Sequence, residues 1–264
     1  MPFANLPGFK LHYTLEGDPS HPVVALSNSL GADLSMWDAQ MQALLPDFQI
    51  LRYDTRGHGL SELPSHPCTL SDLGADLLAL LDALNIAQAH ICGVSLGGTT
   101  AMWIGLHAPH RAASLVLSNT AAKIGTPASW NGRMAIVEAT GLSSIVDSVM
   151  SRWFTPNFPQ RNLALQKEKF LRCSTAGYLA ASSAVRDADL RAEIHAITVP
   201  TLVLSGANDI VTPPSDGHAL QASIPGATFV QVPGAHLSNI EEPAAYNRVL
   251  LPFLQQQANT EATP

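Results

Sequence analysis

Apolar side chains fall on alternate positions from Phe9 through Leu11 and Tyr13 to Leu15, which is the period of a strand with one face buried near a sheet edge. Four other segments lack that alternation. Residues 22–27, 49–53, 114–118 and 201–205 are short and apolar nearly throughout, and such a run suits a central strand covered on both faces. Residues 89–92 and 227–232 predict two more strands. The clearest helical signal is the stripe Leu70, Leu73, Leu77, Leu80, Leu81 and Leu84, with Thr69 placed to cap it and Asp72 placed to reach back. That stripe is core packing. Strands alternating with helices predict an α/β fold, a mostly parallel central sheet flanked by helices and joined by right-handed crossovers.

The alternation stops between residues 121 and 198. Helical patterns occupy 133–139, 141–154 and 164–178, and no strand interrupts them. The segment predicts a helical cap inserted after the strand at 114–118, so that the core comprises residues 1–120 and 199–256. Residues 257–264 lack apolar periodicity and predict a flexible tail.

Candidate chemistry centres on Gly93-Val94-Ser95-Leu96-Gly97, preceded by a predicted buried strand and followed by a helix-forming run of small residues over 99–106. A serine on so sharp a strand-to-helix turn projects over the sheet, and glycines two residues either side relieve the crowding. Ser95 is the candidate nucleophile. A serine hydroxyl needs a general base, itself oriented by a third group. Asp209, just past the strand at 201–205, and His236, past the strand at 227–232, supply both in the chain order expected for this turn. An acid could instead follow the strand at 114–118, but Asn119 stands there and carries no charge. For the oxyanion, the main-chain N–H of Leu96 opens the helix, and the turn Asn28-Ser29-Leu30-Gly31 offers the N–H of Leu30. In the glycine-rich run Asp54 to Ser61, Asp54 and Arg56 are expected to pair and brace nearby loops, and His58 to be structural.

Composition narrows the function classes. At 264 residues, with 46% hydrophobic and only 13% charged, the chain fits one large α/β domain with an insertion rather than a disordered protein. A formal net charge of −7 without a basic run argues against nucleic acid or an anionic membrane surface as partner. Cys68, Cys92 and Cys173 are too widely spaced for a disulfide framework or a metal set, so no metal is expected. The first residues carry neither a basic start nor an apolar run, and no window approaches about 18 uninterrupted apolar residues. A soluble, cytoplasmic protein is the expectation.

Through Asn28 to Gly31, Asp54 to Ser61, Gly93 to Gly97, Asp209 and His236, the chain resembles the α/β-hydrolase superfamily over nearly its whole length. More narrowly, residues 26–37, the run 118–126 leading to Trp130 and Arg133, and Arg152-Trp153-Phe154-Thr155-Pro156 resemble the 3-oxoadipate enol-lactonase family. Asn28-Ser29, where related hydrolases write His-Gly, is itself a feature of that family. The resemblance implies a small cyclic enol ester bearing a free carboxylate, opened through an acyl-enzyme without cofactor. The carboxylate would then need a cation: Arg133 is the first choice, with Lys123 and Arg161 behind it, and a solvated Arg133 is the alternative. Trp130, Met134, Trp153 and Phe154 could line the pocket or simply fill the cap. The same residues would also serve a carboxylesterase, a carbon–carbon bond hydrolase or a cofactor-free perhydrolase, and the fold can act as a small-ligand receptor with a relict triad. The oligomeric state stays open, a homodimer included.

Overall fold

The computed structural model describes residues 2–63 and 68–261. Among them, strands β1 (Phe3–Leu6), β2 (Phe9–Glu16), β3 (Val23–Ser27), β4 (Gln49–Tyr53), β5 (Ala89–Val94), β6 (Ala112–Ser118), β7 (Thr201–Gly206) and β8 (Thr228–Val232) form one sheet. Its order is β1-β2-β4-β3-β5-β6-β7-β8. The pair β1/β2 and the pair β2/β4 are antiparallel, and every other neighbouring pair is parallel. This is the fold expected from the alternation of strands and helices.

The apolar strands read as they do because the sheet is buried on both sides. Along β3, Val24 and Leu26 pack into one core and Ala25 into the other; β4 divides Ile50 from Leu51, and β5 divides Cys92 and Val94 from Ile91 in the same way. Successive strand residues point to opposite faces, so both sets must be apolar when both faces are covered. One face is closed by helices α1 (Asp38–Leu44) and, at the other end of the chain, by Tyr246, Leu250 and Leu254; the opposite face receives α2 (Leu70–Ala83) and α3 (Leu96–His107). The Thr69–Asp72 capping box forms, with the Thr69 side chain accepting from the Asp72 amide and the Asp72 carboxylate accepting from the Thr69 amide. It fixes where α2 begins.

Helices α4 (Pro127–Thr140), α5 (Val146–Trp153), α6 (Gln160–Leu171) and α7 (Thr175–Asp187) all lie between β6 and β7, where a strand-free helical segment was expected. Their limits differ from the sequence pattern. The expected helix over 141–154 starts only at Val146, because Gly141, at φ +76°, ends α4. The expected helix over 164–178 is two helices, since Ser174 leaves helical geometry and its hydroxyl caps α7 at the Gly177 amide. After β7 come α8 (Pro214–Ser223), α9 (Ser238–Glu241) and α10 (Pro243–Glu261). Instead of the expected tail, residues 257–261 continue α10. Gln255 reaches Asp47 at 2.8 Å and Ala258 packs on the core, contacts with residues far away in sequence that local periodicity does not show. Residues 262–264 of that tail lie outside the described residues. Among the described residues no helix is long and apolar enough to cross a membrane.

Candidate active site

Ser95 sits between the last residue of β5 and the first of α3 at φ 57° and ψ −115°. A non-glycine residue holds that region only where the surroundings over-determine it. Those surroundings are tight on both sides of the turn: a Cβ on Gly93 would overlap the backbone of Gly97, and a Cβ on Gly97 would overlap the backbone of Ser27. The Ser95 amide donates to the Ser118 carbonyl on β6 at 3.0 Å, and the Thr120 hydroxyl donates to the Ser95 carbonyl at 2.8 Å. The backbone is thereby held from two elements while the hydroxyl faces a cavity.

Two loops at the carboxyl ends of β7 and β8 bring the other groups there. His236 Nδ1 lies 2.8 Å from Asp209 Oδ2, and both side chains are buried. Asp209 is saturated with donors: its Oδ1 accepts from the amides of Val211 and Thr212, and its Oδ2 also accepts from the Thr212 hydroxyl at 2.9 Å and the Asn119 amide at 3.0 Å. Burial pushes the Asp209 carboxyl up, but the facing His236 and the hydrogen bonds from His236, Asn119 and Thr212 outweigh it and hold the carboxyl below its ordinary value. Asp209 therefore stays ionised. A charged partner on Nδ1 leaves the other ring nitrogen, Nε2, as the one able to take a proton from a hydroxyl.

Ser29, Leu30, Ser95 and His236 line one small cavity, about 40 Å³, whose other wall comes from α4, α5 and α7 through Trp130, Arg133, Arg152, Trp153 and Tyr178. The amides around Leu30 are individually accounted for: Ser29 N–H points to Met36 Sδ at 3.3 Å and Gly31 N–H to His58 Nε2 at 3.1 Å. Among the described residues nothing accepts from the N–H of Leu30 between them, nor from that of Leu96, the first residue of α3. Two unpaired amides beside a serine are the donor set that a developing oxyanion requires.

Residues 22–243 match the model of the family described as the alpha/beta hydrolase fold. The chain belongs to that family. It is 40% identical over 254 residues, covering 95% of both chains, to 3-oxoadipate enol-lactonase 1 of Acinetobacter baylyi, and 38% identical to 3-oxoadipate enol-lactonase 2 of the same organism, covering 91% of both. It also superimposes on the crystal structure of the enol-lactonase from Burkholderia xenovorans with a TM-score of 0.94 at 40% identity, over 96% of this chain and 100% of that one.

The structure separates the candidate substrate residues of this family member. Arg133, Trp130 and Trp153 line the cavity; Met134 and Phe154 do not. The Arg133 guanidinium lies 5.5 Å from the Trp130 ring centre and 5.7 Å from that of Tyr178, its Nε is buried without a partner, and among the described residues no carboxylate pairs with it. Lys123 belongs elsewhere. Its Nζ donates to the carbonyls of Arg186 at 2.7 Å and Ala188 at 2.8 Å, closing the carboxyl end of α7, and it does not line the cavity. Arg161 is exposed on the first turn of α6, away from the cavity.

Asp54 and Arg56 do not pair with each other. Asp54 takes His12 Nδ1 at 2.7 Å and the amides of Leu34 and Leu60, while Arg56 makes a two-pronged contact with Asp76 of α2 at 2.6 Å. A planar guanidinium gains more from a buried bidentate carboxylate than from one already occupied. Two residues gain a place that the sequence did not give them. Arg152, at the end of α5, lines the same cavity as Arg133, and Asn119, which carries no charge of its own, donates to the Asp209 carboxylate. A second cavity of about 430 Å³ shares Trp130, Arg133 and Arg152 and extends to the exposed side chains of Ile136 and Ile210.

Proposed function

We propose that this chain is a cytoplasmic hydrolase that opens the ring of 3-oxoadipate enol-lactone to 3-oxoadipate, residues 121–198 forming a cap over a core of 1–120 and 199–261. The observation that carries the reading is one cavity lined by Ser95, His236 and Arg133, a cation that no carboxylate pairs with among the described residues, in a chain similar across 95% of its length to a curated enol-lactonase. Ser95 is the nucleophile, His236 the general base and Asp209 its orienting acid. The N–H groups of Leu30 and Leu96 hold the oxyanion.

In the first half-reaction His236 Nε2 takes the Ser95 proton as Oγ bonds to the ring carbonyl carbon, and the carbonyl oxygen becomes an oxyanion between the two amides. Collapse breaks the ring C–O bond. The departing enolate is a better leaving group than an alkoxide; it takes the proton from His236 and tautomerises to a ketone while still attached through the acyl group. Water then attacks the acyl-enzyme with His236 again as base, and Ser95 leaves with its proton restored. Asp209 stabilises the imidazolium formed in each half-reaction. Each step uses side chains, backbone amides and water alone. Arg133 pairs with the free carboxylate of the substrate, and Trp130 and Trp153 flank it.

A spectrophotometric panel tests the reading: the enol-lactone, a saturated lactone of the same ring size bearing the same carboxylate, and p-nitrophenyl acetate. The enol-lactone is expected to give the highest kcat/KM by at least about tenfold. A preference for the uncharged ester would contradict the substrate assignment while leaving the nucleophile untouched.

A further inference from the structure

His58 was set aside at the level of sequence as structural, yet it touches the turn that carries Leu30. We infer that His58 is a positioning residue for the oxyanion donor, fixing the Leu30–Gly31 peptide from beneath through its Nε2. The inference rests on the serine-hydrolase reading above and adds a residue that touches no substrate.

The geometry fixes which tautomer does this. Nε2 lies 3.1 Å from the Gly31 nitrogen, a group that can only donate, and Nδ1 lies 3.2 Å from the Arg56 carbonyl, which can only accept. The ring therefore carries its proton on Nδ1 and offers a lone pair at Nε2. His58 is 1% exposed, and burial lowers its proton affinity against the opposing pull of the Arg56 carbonyl, Asp54 and Asp33. A protonated ring would leave Gly31 N–H facing another N–H.

The turn is held on its other sides as well. Asn28 Nδ2 donates to the Tyr53 carbonyl at 2.7 Å, and the Asn28 oxygen accepts from the Trp37 indole at 2.9 Å. Gly31 has φ +82°, and a Cβ there would come within 2.7 Å of the Phe170 ring and 3.3 Å of the Tyr178 ring. The turn is thus pressed from above by aromatic side chains of α6 and α7 and hung from below on His58. Of three consecutive amides, the outer two are bonded and the middle one, Leu30, is left for the substrate. Removing the lower support frees the peptide next to Leu30 without removing any group that meets the substrate.

Three substitutions separate this role from simple packing. In His58→Gln the side-chain oxygen replaces Nε2 as acceptor for Gly31; in His58→Asn an amide can reach Arg56 but not Gly31; in His58→Leu neither bond remains. With p-nitrophenyl acetate as substrate and Ser95→Ala as control, kcat is expected to fall roughly ten- to hundredfold in His58→Leu and His58→Asn with KM within about threefold of wild type, and to recover to within about fivefold in His58→Gln. The affinity of phenylboronic acid, whose adduct with Ser95 puts an oxygen between the two amides, should weaken in parallel with kcat. Should His58→Leu fail to fold, His58→Asn and His58→Gln carry the comparison. Equal turnover of His58→Asn and His58→Gln, or a loss seen only in KM or only in melting temperature, would overturn the inference. A fully active Ser95→Ala would instead overturn the nucleophile assignment on which it rests.

Discussion

The side-chain amide of Asn119 donates to Asp209 Oδ2 at 3.0 Å, the same oxygen that faces His236 Nδ1 at 2.8 Å. Asn119 also donates to the Ala235 carbonyl and accepts from the Ser238 hydroxyl, so it bridges the loop that carries the acid to the loop that carries the histidine. It lies immediately after β6, the strand between those of Ser95 and Asp209. An amide at this point supports the carboxylate; a second carboxylate would repel it.

Asp209→Asn should keep the shape of the site but favour the wrong histidine tautomer, and turnover should fall by a factor on the order of 10³ to 10⁴. Asn119→Asp should also lose activity, because two carboxylates at hydrogen-bonding distance cannot both stay ionised at neutral pH. Steady-state kinetics of both variants decide it. A silent Asp209→Asn would place the acid elsewhere.

Arg133→Ala should raise KM for the carboxylate-bearing lactone and leave p-nitrophenyl acetate nearly unchanged. A lost charge-assisted contact costs roughly 1.5 to 3 kcal/mol, about ten- to hundredfold in kcat/KM. Arg152→Ala, in the lining of the same cavity, should act in the same direction but more weakly, since Arg152 is exposed. Equal effects on charged and uncharged substrates would mean that these arginines only hold the helices together.

Lys123→Met should leave both substrates' KM unchanged and lower the melting temperature. Two carbonyls at the end of α7 lose their donor, worth about 1 kcal/mol, or roughly 2 to 4 °C in a chain of this size. Differential scanning fluorimetry beside the kinetics reads both. A KM rise confined to the charged lactone would return Lys123 to the substrate site.

His90 gives the fold a pH dependence of its own. It is 1% exposed, Nδ1 pairs with the Ser114 hydroxyl at 2.9 Å, and burial pushes its pKa from 6.5 down to about 4. Between those values the unfolded chain binds more protons than the folded one, so this contribution is intact above pH 6.5 and is lost progressively as the pH falls to about 4. The loss is on the order of 3 kcal/mol. Urea unfolding at several pH values in that window should show it in the wild type and show less of it in His90→Asn, which keeps an amide near Ser114. An unchanged slope in the variant would exclude His90 as the source.

Most of the sheet was legible because its central strands are buried on both faces, which forces unbroken apolar runs such as Val24 to Leu26 and Leu202 to Leu204. The strand β1 was not: four residues with only Ala4 and Leu6 buried give too short a pattern, and its existence depends on pairing with β2. Ser95 with its flanking glycines, Asp209 and His236 stood out because each follows a strand in a fixed order, and the structure brings all three to one end of the sheet. Side-chain direction between β6 and β7 did not stand out. Arg133 and Lys123 lie ten residues apart and read alike, yet one faces the cavity and the other turns back onto the end of α7. Contacts across the chain, such as Asn119 to Asp209 and His58 to Gly31, follow from topology and leave no local signature.

The most direct measurement is the rate of 3-oxoadipate enol-lactone ring opening by purified wild type and Ser95→Ala, each checked for folding by circular dichroism. Ser95→Ala should be folded and slower by a factor of about 10⁴ or more, and the wild type mixed rapidly with lactone and quenched should carry the full mass of one lactone on the peptide containing Ser95, since a ring-opened leaving group stays attached. A Ser95→Ala protein that keeps more than about a tenth of the wild-type rate, with no such adduct in the wild type, would contradict the assignment of Ser95 as the nucleophile of an enol-lactonase.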